Sequence, residues 1–113
     1  MESKDVYLLE NIIGLCDGIM RAVVRFGDSF EVFDTDEDYQ DACELKIIQI
    51  GELVNNLSDA FKTGHPEVPW ASIVGTRNFI THEYGSLSNA KVWETIKNDI
   101  PELRKFCAKL ITV

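Results

Sequence analysis

Pro69-Trp70-Ala71-Ser72-Ile73-Val74-Gly75-Thr76-Arg77-Asn78-Phe79-Ile80-Thr81-His82-Glu83-Tyr84 is the stretch on which the reading of this chain turns. A helix advances about 100° per residue, so positions three, four and seven apart share a face. Trp70, Ile73, Arg77, Ile80 and Tyr84 form one such stripe, apolar and aromatic except at Arg77. Ala71, Gly75, Asn78 and His82 form a second, whose first half is small enough for another helix to approach closely. Proline is well placed in the first turn of a helix. The spacing therefore predicts an amphipathic helix from Pro69 to about Tyr84, with other helices holding it in place.

The same stretch gathers a fixed cation, an imidazole and a phenol. A charge within an apolar stripe is costly unless it has a partner or a task. Arginine presents a planar fork matched to phosphate oxygens, and histidine can take and give a proton near neutral pH. In RNA the 2′-hydroxyl is an internal nucleophile, so a base, an acid and a charge stabiliser suffice for phosphodiester cleavage without a metal. Asn78, four residues before His82, is placed to orient the imidazole or to touch phosphate. Arg77 and His82 are five apart, roughly 140° around the helix, and do not share a face. Converging on one substrate needs the reach of Arg77, a change of path near Gly85, or a second subunit. The competing reading is a buried arginine satisfied by carbonyls and an ordinary histidine near a helix end. Arg-x4-His alone is too short to decide between them.

Outward from this helix, the chain reads as further helices. Leu9, Ile12, Cys16, Ile19 and Val23 repeat at helical spacing, predicting a helix from Lys4 to Phe26 with Ser3 as cap and Gly27 as stop. Gly14 and Gly18 are candidates for a close helix crossing. Asp28-Ser29-Phe30-Glu31 has the reciprocal-capping pattern and predicts a short helical turn. Tyr39, Cys43, Ile47, Ile50, Val54 and Leu57 predict a helix from Asp36 to Leu57; Leu45 and Ile48 add an apolar line that either widens the core face or meets a second copy. One further turn is expected at Ser58 to Lys62. The break at Thr63 to Pro69 leaves His65 in a loop, read as solvated. Ser88 is a plausible cap for a last helix carrying Val92, Ile96, Ile100, Leu103, Cys107 and Leu110. Pro101 should bend that helix, and Asp99 could recap a restart. The expected fold is all-α: one domain over residues 1–113, an up-and-down bundle of four main helices plus short helical turns.

The chain has 113 residues, 45% hydrophobic and 27% charged, and a net charge of −8. That balance argues against broad electrostatic binding of nucleic acid, so any RNA contact is local and short. Five acids lie between Asp34 and Asp41, at a predicted helix start where the macrodipole favours them; a patch for a basic partner is the alternative. No apolar run is long enough to span a bilayer, and the polar start does not resemble a signal peptide, so a cytoplasmic location is expected. Cys16, Cys43 and Cys107 fall on apolar faces without metal spacing and read as buried free thiols; neither a metal nor a cofactor is expected.

Four linked motifs together resemble the HepT-like proteins of the HEPN superfamily. Ile48-Gln49-Ile50-Gly51-Glu52-Leu53-Val54-Asn55-Asn56-Leu57-Ser58 resembles that family's "IGE-A--LS" helix, and His65-Pro66-Glu67-Val68-Pro69-Trp70 its "HPEIPW" turn. Arg77 to Tyr84 fits its Arg-x4-His-x-Tyr signature, including the Asn after the Arg. Val92 to Ile96 and Asn98 to Leu103 resemble its final helix. The chain departs after Tyr84, where Gly85-Ser86-Leu87-Ser88 replaces the frequent Phe-Gly-Val-Asp.

The resemblance implies an all-α homodimer and a metal-independent endoribonuclease acting as a toxin. Arg77 and His82 would be catalytic and Asn78 supporting, at a cleft between two copies. The implied antitoxin is a minimal nucleotidyltransferase that transfers AMP to Tyr84. The alternative is a non-catalytic helical dimer that serves as a binding or regulatory partner of such an enzyme.

Overall fold

The computed structural model describes residues 2–82 and 88–111. Tyr84 and the altered connection after it, up to residue 87, lie outside the described residues. The elements are α1 (Ser3–Phe26), α2 (Phe30–Thr35), α3 (Glu37–Asn56), α4 (Asp59–Gly64), α5 (Trp70–His82), α6 (Asn89–Glu94), a π turn (Thr95–Asp99) and α7 (Ile100–Ile111). Among the described residues four long helical runs thus make an all-α bundle, with α6, the π turn and α7 forming the fourth. Helix α3 packs against both α1 and α5, and α1 also packs on α7.

The predicted stripes are the ones that go inside. Leu9, Ile12, Cys16 and Ile19 of α1 and Cys43, Ile47, Ile50 and Val54 of α3 are all fully buried. Ile73 of α5 and Ile100, Leu103 and Cys107 of α7 complete the core. The three free cysteines are all buried. Burial holds the Cys16 and Cys107 thiols up at about 12 and the Cys43 thiol at about 11.

Helix starts follow local capping chemistry. Asp36 Oδ1 accepts from Tyr39 N at 3.1 Å to cap α3, with Glu37 and Asp38 in the first turn. Ser58 caps α4 and Ser88 caps α6. The acids at this α3 start therefore satisfy the dipole as expected. Gly27 ends α1 at φ 126°, in the left-handed region that glycine adopts without strain. Its carbonyl accepts from the Tyr39 hydroxyl at 3.0 Å, and Tyr39 packs edge-on against Phe33 and Trp93.

Several expectations are corrected. Ser3 is the first helical residue, not the cap; Glu2 holds that position without a side-chain bond. Ser29 rather than Asp28 caps α2. Gly14 faces open space, whereas Gly18 does mark a close approach, to the Lys46 side chain of α3. Gly75 also faces open space within the chain. His65 lies in the expected break, but its side chain is half-buried against rings rather than fully solvated. Its ring lies 4.8 Å from Phe61 and 5.0 Å from Phe106, and its carbonyl accepts from Trp70 Nε1 at 2.9 Å.

The last helix neither restarts nor recaps at Asp99. It widens by one residue, and Ile100 N–H donates five positions back to Thr95 O. Pro101 lacks an N–H and its ring crowds the carbonyl four residues earlier; the wider π turn just upstream absorbs that misfit. Asp99 accepts from Ser72 Oγ at 2.9 Å instead of capping.

Candidate functional site

Helix α5 is fixed by its apolar stripe and by one buried polar pair. Ile73 and Ile80 enter the core, and Thr76 Oγ1 bonds Thr95 Oγ1 of the π turn at 2.9 Å. Arg77 follows Thr76 and faces α3. A Cβ added at Gly51 would stand 2.5 Å from Arg77 Cβ and 2.6 Å from Arg77 Cγ. Glycine at 51 therefore lets the aliphatic stem of Arg77 lie directly on the α3 backbone.

The guanidinium is held unevenly. Nη1 donates to Asn78 Oδ1 at 2.7 Å, and Nη2 to Glu52 Oε1 at 3.5 Å. Nε is buried without a hydrogen-bond partner among the described residues. The Arg77 side chain is 23% exposed and that of Glu52 55%, so the stem is packed while the Nη end reaches the surface. This is the packed cation in an apolar stripe that the sequence pattern predicts. Its two Nη atoms are held by side chains rather than carbonyls.

His82 is the last described residue of α5 and is exposed. It stands five residues, about 7–8 Å of helix rise, beyond Arg77. Asn78 joins Arg77 rather than His82. Ala71, Gly75, Asn78 and His82 all face outward, so the second stripe is a surface. Tyr84, two residues further on, lies outside the described residues. Gly51 and Glu52 are the residues that motif reading does not connect with this place. Both are in the quoted Ile50-Gly51-Glu52 run, where a glycine beside an acid marks a close crossing with an anion at its edge.

The family described as Ribonuclease HepT-like matches residues 9–110. The chain belongs to the HepT-like ribonuclease family. A candidate RNase of Caldanaerobacter subterraneus subsp. tengcongensis is 39% identical over 97 residues, covering 86% of this chain and 85% of that protein. The probable ribonuclease HepT of Thermococcus cleftensis is 36% identical over 81 residues, covering 72% and 74%. A candidate RNase of Methanocaldococcus jannaschii is 30% identical, covering 65% and 75%. No solved structure matches the chain. The HepT-like assignment and the all-α bundle both agree with the sequence reading.

Among the described residues no group of three or more His, Cys, Asp or Glu is arranged to hold a metal ion. No described helix is long and apolar enough to cross a membrane.

Proposed function

We propose that this HepT-like chain is an endoribonuclease, acting without a metal, in which Arg77 and His82 carry the chemistry. The observation that supports this most is Arg77 itself, packed by its stem against Gly51 with its Nη end at the surface, little more than one helical turn before an exposed imidazole. Arg77 would neutralise the charge that builds on the phosphate during attack by the 2′-hydroxyl. His82 would move the proton, taking it from the 2′-hydroxyl or giving it to the departing 5′-oxygen. Asn78 would hold the guanidinium plane.

One imidazole cannot easily serve as base and acid in the same step. Two copies of His82 across a two-fold axis divide those roles, so the working unit is a homodimer with the cleft between copies. Leu45, 57% exposed and two turns before Glu52 on the same face of α3, offers apolar area beside the site for such pairing.

The biological role that follows from the family reading is a toxin of a toxin–antitoxin pair. A minimal nucleotidyltransferase would neutralise it by placing AMP on Tyr84. The added bulk and negative phosphate, two residues from His82, would repel or block RNA. The net charge of −8 lends some weight to a second reading, a non-catalytic dimer that regulates such an enzyme.

RNA cleavage in chelator by the wild type, Arg77→Ala and His82→Ala tests the assignment. Cleavage by the wild type and loss in both variants is expected. Full cleavage and full growth inhibition by His82→Ala would remove the catalytic assignment. Mass spectrometry of the protein coexpressed with a neighbouring nucleotidyltransferase tests Tyr84; absence of added AMP would remove that control.

A further inference from the structure

We infer that Glu52 is the resting counter-ion of Arg77, occupying the place where an RNA phosphate is taken and thereby setting substrate affinity. The inference rests on the ribonuclease reading and adds to it a residue outside the Arg-x4-His pair.

The three nitrogens of Arg77 have different surroundings. Nη1 is anchored by its neighbour on α5, at 2.7 Å from Asn78 Oδ1. Nε is buried, beyond the reach of a ligand. Among the described residues only Nη2 faces an anion, Glu52 Oε1, across the gap to α3 at 3.5 Å. Charge-assisted N–O contacts normally close to about 2.7–2.9 Å, so this one is loose. The more exposed partner is the carboxylate, at 55%, with flexible bonds and solvent to move into. Glu52 makes no other ion pair among the described residues. Carboxylates and phosphodiesters present similar paired oxygens to a guanidinium. A carboxylate held loosely at the surface end of an otherwise anchored arginine is a stand-in for phosphate.

Binding then exchanges one anion for another. The phosphate takes Nη2, Glu52 swings aside, and the stem of Arg77 stays on Gly51. The displaced carboxylate remains close to the phosphate and weakens its binding. Glu52 therefore sets affinity by acting through Arg77, without touching the reacting atoms.

Glu52→Gln keeps the shape and removes the charge. The readouts are KM and kcat on an RNA oligonucleotide, and Kd for its 2′-O-methyl analogue, which lacks the nucleophile. KM and Kd should both fall roughly fivefold at low salt, the Coulomb cost of two unit charges about 4 Å apart in water. The gain should shrink as ionic strength rises, with kcat within about twofold of the wild type. Glu52→Ala should move Kd in the same direction. Unchanged Kd, weaker binding, or a tenfold loss of kcat in Glu52→Gln would overturn the inference. A shift in Kd between wild type and Glu52→Gln, with no cleavage by either, would sink the ribonuclease reading alone. Cleavage without the shift would sink the role of Glu52 alone, and binding by neither form would overturn both.

Discussion

Gly51 on α3 leaves the space that the stem of Arg77 on α5 fills: a Cβ at position 51 would come within 2.5 Å of Arg77 Cβ. That atom is fixed to the α5 backbone, so it cannot swing away as the end of a long side chain would. Gly51→Ala should push the helices apart or tilt Arg77. Overpacking of this kind costs about 1–3 kcal/mol, and misplacing a charge stabiliser by about 1 Å can cost on the order of 100-fold in rate. Urea denaturation and RNA cleavage of Gly51→Ala should therefore both decline. Undiminished cleavage would show that the crossing does not position Arg77.

Stability and activity should part company at Arg77. Its buried Nε has no partner among the described residues, and an unsatisfied buried donor costs about 1–3 kcal/mol. The contact with Glu52 is partly exposed and contributes about 0–1 kcal/mol. Arg77→Met keeps the packed stem and removes the orphan donor. Its folding stability should be unchanged or raised by up to about 1 kcal/mol, while cleavage falls at least about 100-fold. A stability loss above about 2 kcal/mol would instead mark Arg77 as a structural residue.

A second acid, buried and far from Arg77 in sequence, is structural. Asp5, 1% exposed, accepts from Ser58 N at 3.2 Å and from Ser58 Oγ at 3.1 Å. The two bonds tie the start of α1 to the cap of α4, 53 residues away in sequence. Asp5→Ala strips both acceptors and leaves the Ser58 N–H without its partner. The cost should be about 1–3 kcal/mol in urea or thermal unfolding, with kcat unaffected at temperatures where the chain is folded. A change smaller than about 0.5 kcal/mol would show that water replaces the carboxylate.

The helices, the stop at Gly27 and the cap at Ser88 are legible in the sequence because each depends on local periodicity and capping chemistry. Leu9, Ile12, Cys16 and Ile19 announce their face by spacing alone, and the structure buries all four. The partner of Arg77 on α3 is not legible, since Glu52 lies 25 residues away and meets it only through the α3–α5 crossing. His65 misleads for the same reason. Its sequence neighbours signal a turn, whereas the Phe106 ring that covers it belongs to α7. Thr95, where the π turn begins, is likewise met by a distant group, the Thr76 hydroxyl of α5. Asn78 joins Arg77 rather than His82 because the choice among neighbouring side chains is decided by packing, which spacing does not encode.

The buried thiols give a prediction at alkaline pH. Burial raises Cys16 and Cys107 from 9.0 to about 12, and Cys43 from 9.0 to about 11. Well below the ordinary value of 9.0 the thiols are protonated in both folded and unfolded chains, so their contribution is fully present. Above it the unfolded chain releases these protons and the folded chain retains them, which favours unfolding. Stability should therefore fall from about pH 9 toward 11–12, by about 1.4 kcal/mol per pH unit for each thiol that ionises only in the unfolded chain. Urea midpoints measured from about pH 8 to 10.5 should show this decline. Replacing Cys16 with Ala removes one of the three groups and should make the slope shallower, even though the cavity lowers stability throughout. An identical slope in that variant would mean that Cys16 ionises equally in both states and that its burial does not resist deprotonation.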